Sequence, residues 1–277
     1  MDKDTKHLFL KRGVHPKKRL GQNFLIDKNV LGKIVRAGNI TSKDIILEIG
    51  PGTGTLTREL VKKAKKVIAV EKDPAMVEIL RKSFKDTKNL EIIQKDILKM
   101  DPPQKPYKVI ANLPYYIVSP LIRKFLEAGR KPISMTLMVQ KEVGQRICAT
   151  PPRMSLLAVC IQFYSDPKII SYVSKKAFWP KPKVNSAIIE IKPKLKIVPC
   201  ETFFEVVKAG FCHPRKQILN TLSAKLALRT SSKVKSNKEK VRAWLLKNKI
   251  APSQRPETLS VEDWIKLAKT YKGDIIK

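Results

Sequence analysis

Between Ile45 and Val139 the chain alternates short, continuous apolar runs with longer stretches whose apolar residues recur at helical spacing. The runs are Ile45–Ile49, Val67–Val70, Leu90–Ile93, Tyr107–Ala111 and Ile133–Val139. Runs of this length, rich in Val and Ile, predict strands covered on both faces, as in a parallel sheet. The stretches between them, roughly Leu56–Ala64, Pro74–Phe84 and Pro120–Ala128, predict the crossover helices. Upstream, Asp27 is placed to cap an amphipathic helix with Val30, Ile34 and Val35 inward. Downstream, Lys141–Ala149 and Ser155–Phe163 read as helices and Lys168–Val173 and Ala187–Ile191 as strands, with Ala177–Ser186 a proline-punctuated loop. Past Pro193 the strand pattern stops, and Phe203–Phe211, Lys216–Ala227, Lys238–Leu246 and Val261–Tyr271 read as helices. The expectation is a sheet domain over 1–194, including a basic N-terminal arm, and a small all-helical domain over 195–277.

The first strand runs into a turn with glycines at 50, 52 and 54. Glycine can take positive φ and lets a ligand approach bare backbone, so this turn suits a nucleotide-like cofactor. A tight strand-to-helix turn without ligand is the plain alternative. Glu71 closes the second run, where an acid can hold a ribose diol, and Asp96 follows the third, where it can accept from an adenine amino group. Thr55-Leu56-Thr57 stands where a pyrophosphate fingerprint has its spaced third glycine, and Glu48 adds a carboxylate beside the turn. That chemistry suits S-adenosylmethionine, which carries an amine and a sulfonium and has no phosphate. The fold expected is an α/β, Rossmann-like sheet of the methyltransferase kind, with its ligand at the carboxyl ends of the strands.

Asn112-Leu113-Pro114-Tyr115 closes the fourth run. If the substrate is an exocyclic amine such as adenine N6, its lone pair is delocalised into the ring, and acceptors on its hydrogens help localise it. The Asn112 side-chain oxygen can be one acceptor and the Leu113 carbonyl another, because Pro114 biases its predecessor to an extended conformation. Tyr115 offers a face for an extruded base. A plain β-turn is the competing reading of these residues.

Charge names the partner. With 57 Lys and Arg against 24 Asp and Glu, the formal net charge is +33, which favours a polyanion such as nucleic acid. Residues 211–250 hold eleven basic residues, Arg215, Lys216 and Lys225 among them, against Glu239 alone. They are the candidate contacts to nucleic-acid phosphates. Residues 1–20 form a basic arm expected to be mobile until it meets phosphate. Cys148, Cys160, Cys200 and Cys212 show no metal-ligand spacing, so no metal site is expected. With no apolar run of membrane-spanning length, a soluble cytoplasmic protein is expected.

LGQNFL, LEIGPGTGTLT, Glu71, Asp96, NLPY and FWPKPKVNSA, in this order, resemble the rRNA adenine N6,N6-dimethyltransferase family. FCHPRKQILNTL and RPETLSVEDW resemble its branch that dimethylates two adjacent adenosines near the 3′ end of small-subunit rRNA. The likeness runs from Lys18 to Ala268. It implies that Asn23 and Leu25 close over the methionine part of the cofactor, that Gly50, Glu71 and Asp96 contact the rest of it, and that Asn112, Leu113, Pro114 and Tyr115 are catalytic. It also implies that Phe178 sandwiches the target base, and that a monomer acts on a small-subunit precursor with a role in its biogenesis. Departures are Pro214 in place of an arginine, Asn185 in place of an aspartate, and a short connection at Ala149–Ser155. The alternatives are a large-subunit rRNA adenine methylase of the antibiotic-resistance type and a non-catalytic nucleic-acid-binding factor on the same fold.

Overall fold

The computed structural model describes residues 16–17, 20–114, 117–194, 201–227 and 234–271, with side chains left out at 201, 226–227 and 234–237. Most of the basic arm, and Tyr115, lie outside them. The described residues up to Gln145, together with Ser165–Lys194, form one compact unit, and Arg146–Tyr164 with those after Lys194 form another.

The first unit contains β1 (Phe24–Leu25), α1 (Lys28–Ala37), β2 (Ile45–Ile49), α2 (Thr55–Val61), β3 (Lys66–Glu71), α3 (Pro74–Ser83) and β4 (Leu90–Gln94). It continues with β5 (Lys108–Asn112), α4 (Val118–Glu127), β6 (Met135–Gln140), β7 (Ser165–Val173), β8 (Phe178–Trp179) and β9 (Ser186–Pro193). The main sheet has the order β4-β3-β2-β5-β6-β9-β7. Its first five strands are parallel, and β9 is inserted antiparallel between β6 and β7. Because β2 lies between β3 and β5, the connections after it leave in opposite directions, and a crevice opens at the carboxyl ends of these strands.

Local chemistry sets the helix starts. The Asp27 side chain accepts from the Asn29 and Val30 amides at the head of α1, whose Val30, Leu31, Ile34 and Val35 are buried. Asp73 caps α3, with Pro74 at its first position. The inward face of α1 joins Ile46, Leu60, Val67, Ile110 and Ile188 in one apolar cluster. Two short strands go beyond the expectation: β1, and β8 within the segment expected as a loop, where Phe24 pairs with Trp179 and Leu25 with Phe178. Two-residue strands carry too little periodicity to be read locally.

The second unit holds α6 (Leu156–Tyr164), α7 (Glu201–Gly210), α8 (Ile218–Ala227), α9 (Val234–Lys247) and α10 (Val261–Thr270). α5 (Lys141–Ile147) ends at the junction. The division after Lys194 coincides with the expected boundary, but 146–164, expected in the sheet domain, belong to the helical unit. Phe163 stacks on Phe203 with centroids 4.0 Å apart, and Met154, Ala158 and Val159 share a core with Val206, Leu222, Trp244 and Trp264. Periodicity shows that α6 is apolar but not which core it enters. α10 starts with a reciprocal capping box between Ser260 and Asp263.

Candidate active site

At the carboxyl ends of β2, β3 and β5 lies a cavity of about 220 Å³. The structure brings Asn23, Leu25, Gly50, Gly52, Glu71, Asp96 and Asn112 together on its wall, along with Glu48, Leu113 and Pro114. Gly50, Gly52 and Gly54 all have positive φ. A Cβ on Gly52 would stand 2.9 Å from the Phe24 ring, so the turn and β1 approach as closely as glycine permits. At Gly54, φ is +83° and a Cβ would come within 2.5 Å of Phe84. Gly54→Ala is thus expected to cost at least about 1–2 kcal/mol from the left-handed backbone alone, with the ring clash added. Urea unfolding checks it, and an unchanged midpoint would contradict the geometry.

Glu71 ties the turn to the sheet. One carboxylate oxygen accepts from the Gly52 amide at 3.1 Å, the other from the Lys72 and Asp73 amides at 2.8 and 2.9 Å. Burial raises its pKa, opposed by these amides. The carboxylate that can hold a ribose therefore also holds the glycine turn in shape. Asp96 begins the 3-10 turn Ile97–Lys99, accepting from the Leu98 amide at 3.0 Å. Its second oxygen meets the Lys72 ammonium at 2.9 Å, which holds its pKa below the ordinary value.

Glu48 is 1% exposed, and neither carboxyl oxygen has a hydrogen-bond partner among the described residues. Burial pushes its pKa up to about 8; the nearby Thr57 favours the ionised form without reaching hydrogen-bond geometry, and Glu71 opposes it. Between its ordinary 4.5 and about 8 the unfolded chain releases a proton that the folded chain keeps. Stability should therefore fall across that window, by up to about 1.4 kcal/mol per pH unit. The advantage of Glu48→Gln in urea unfolding should grow from about pH 5 to about 8; an advantage independent of pH would refute the assignment. A buried carboxyl without a partner is costly unless a cation meets it, so the donor set fits a cationic cofactor such as S-adenosylmethionine. Asn23, Leu25, Gly50, Gly52, Glu71 and Asp96 line the cavity in which such a cofactor would be held.

Sequence reading missed a second network. Asp73 accepts from Lys17 at 2.8 Å and from Gln22 Nε2 at 2.9 Å, while Gln22 Oε1 accepts from the Lys17 amide at 2.8 Å. It fastens the segment that carries Asn23 beside the cavity. Asp73 also caps α3, and nothing local points from Gln22 to a partner so distant in the chain.

Asn112 ends β5, and its Nδ2 donates to the Asn23 carbonyl at 3.1 Å. That assigned orientation leaves Oδ1 with no donor among the described residues. The Leu113 amide donates to the Met138 carbonyl at 3.3 Å, and Pro114 Cδ lies 3.9 Å from where a Gly50 Cβ would be. The Asn-Leu-Pro stretch therefore abuts the glycine turn. Phe178 is 3% exposed, shares one apolar cluster with Leu25, Val30 and Ile34, and is not among the residues that line the cofactor cavity. Its pairing through β8 turns the ring inward to support β1, a placement that a loop reading could not foresee. In the helical unit, Arg215, Lys216 and Lys225 are exposed.

Sheet order, glycine turn and unpaired carboxyl define the class: an S-adenosylmethionine-dependent methyltransferase on a Rossmann-like fold. Within that class, the chain belongs to the ribosomal RNA adenine dimethylase family, whose sequence model matches residues 13–272. It is 43% identical over 267 residues to the ribosomal RNA small subunit methyltransferase A of Dehalococcoides mccartyi, covering 93% of this chain and 89% of that one. To the protein of the same name from Alkaliphilus oremlandii it is 39% identical over 280 residues, covering 96% and 95%. A dimethyladenosine transferase from Plasmodium falciparum superposes with a TM-score of 0.77 at 28% identity, over 88% of this chain and 95% of that one. The 23S rRNA methyltransferase ErmE gives 0.72 at 26%, over 89% and 98%. No helix among the described residues is long and apolar enough to cross a membrane.

Proposed function

We propose that this enzyme dimethylates N6 of two adjacent adenosines near the 3′ end of small-subunit rRNA, as a cytoplasmic monomer acting during small-subunit biogenesis. The observation that carries the reading is Asn112: its amide nitrogen is tied to the Asn23 carbonyl while Oδ1 stays available beside the cavity. S-adenosylmethionine, when bound, supplies a methyl group made electrophilic by a positive sulfur. Asn112 Oδ1 and the Leu113 carbonyl accept the hydrogens of the target amine and orient its lone pair, so catalysis is alignment with dipoles already in place. After one methylation the nitrogen gives up a proton to solvent and retains one hydrogen, which one acceptor still holds. Tyr115 supplies the stacking face, while Phe178 keeps β1 and Leu25 in position. The basic residues Arg215, Lys216 and Lys225 grip rRNA phosphates, which position the substrate without reading its sequence.

The relatives named small subunit methyltransferase support this substrate. Incubation with labelled cofactor and unmethylated small subunits, followed by mapping of modified bases, tests it. Label on the two adjacent adenosines is expected; label in large-subunit RNA, or none, overturns the reading.

A further inference from the structure

A groove of about 910 Å³ lies between α1 and α2 and shares Leu25, Thr53 and Thr55 with the cofactor cavity. Leu31 and Val35 contribute an apolar floor, while Lys28, Arg36, Arg58 and Lys63 line its walls. All four cations are exposed, and none forms an ion pair among the described residues. The acids on the same groove are committed elsewhere: Asp27 accepts from two amides of α1, and Glu59 pairs with Lys62 at 2.7 Å. The Arg36 guanidinium lies back along α1, with Nη1 3.4 Å from where a Gly32 Cβ would be, and Arg58 sits 5.2 Å above the Phe84 ring. A concave surface with four cations against the Asp27 carboxylate and an ion-paired Glu59 attracts a polyanion, and its continuity with the methyl-transfer cavity sets where that polyanion must run.

We propose that this groove is a binding site for the RNA backbone, taking the phosphates of a short single-stranded stretch flanking the target nucleotide. The inference rests on the proposed function, since the RNA must be this enzyme's substrate. A base entering the cavity carries its neighbouring phosphates past the cavity rim, and a cationic groove is the usual way to track a single strand. These contacts add affinity and register and leave base choice to the cavity. The groove belongs to the sheet unit, so its contribution is separable from that of the helical lobe.

The test is filter binding of unmethylated small-subunit rRNA by the full-length Arg36→Gln, Lys63→Gln double variant over a salt series. Loss of two contacts to a single strand should reduce the salt slope by about 1.4, or about 0.7 for each phosphate. Affinity should then fall about 25-fold at about 0.1 M salt and converge with wild type near about 1 M, because the counterion term vanishes there. Cofactor affinity, measured by calorimetry on the same samples, should stay unchanged and shows that the variant is folded. If it is not folded, Lys28→Gln with Arg58→Gln gives the same reading. A wild-type slope and affinity in a folded variant overturn the site, leaving the groove to solvent or to an acidic protein surface. A wild-type protein that transfers no methyl group to rRNA overturns the proposed function instead, and this inference with it.

Discussion

Replacement of Asn112 by alanine is expected to cut the single-turnover rate of methyl transfer by about 100-fold or more at saturating cofactor, the scale seen when one preorganised polar group is removed. Oδ1 is the available acceptor, and Nδ2, anchored at 3.1 Å to the Asn23 carbonyl, prevents the amide from turning away. Alanine removes both the acceptor and the tie to the Asn23 segment, so a modest loss of cofactor affinity accompanies the loss of rate. Calorimetry separates the two effects. A folded variant with a near-normal single-turnover rate would reduce Asn112 to a turn residue.

Glu71→Ala should weaken S-adenosylmethionine binding by about 1.5–3 kcal/mol, the range for charged hydrogen bonds. The structure adds a second consequence. Because the carboxylate also accepts from the Gly52, Lys72 and Asp73 amides, its removal leaves buried donors unpaired and loosens the glycine turn. The urea midpoint should fall along with cofactor affinity. Unchanged affinity in calorimetry would remove Glu71 from the cofactor site, whereas lost affinity with an unchanged midpoint would leave it as a contact without a structural role.

The two variants lie at the ends of the strands that flank β2 and differ in outcome: one acts mainly on rate, the other on binding. Their side chains share no hydrogen-bond partner, Asn112 bonding to Asn23 and Glu71 to Gly52, Lys72 and Asp73. Their combined effect on cofactor affinity should therefore be close to additive.

Much of the sheet domain was legible in the chain itself. Val- and Ile-rich runs separated by helical periods report a parallel sheet locally, because burial on both faces removes the polar alternation of a half-exposed strand. Gly50, Gly52, Glu71, Asp96 and Asn112 could be placed at strand ends for the same reason, and they do line one cavity. Asp27 was legible as a cap because capping is decided within three residues. What sequence determined here was whatever depends on neighbours a few positions away. Only the tertiary structure decided the rest. It sent Arg146–Tyr164 into the helical core, turned Phe178 inward through its pairing with Leu25, joined Lys17 and Gln22 to Asp73, and left Glu48 buried without a partner. Each of these depends on contacts between residues far apart in the chain, and no local periodicity encodes which distant surface an apolar face or a polar group will meet.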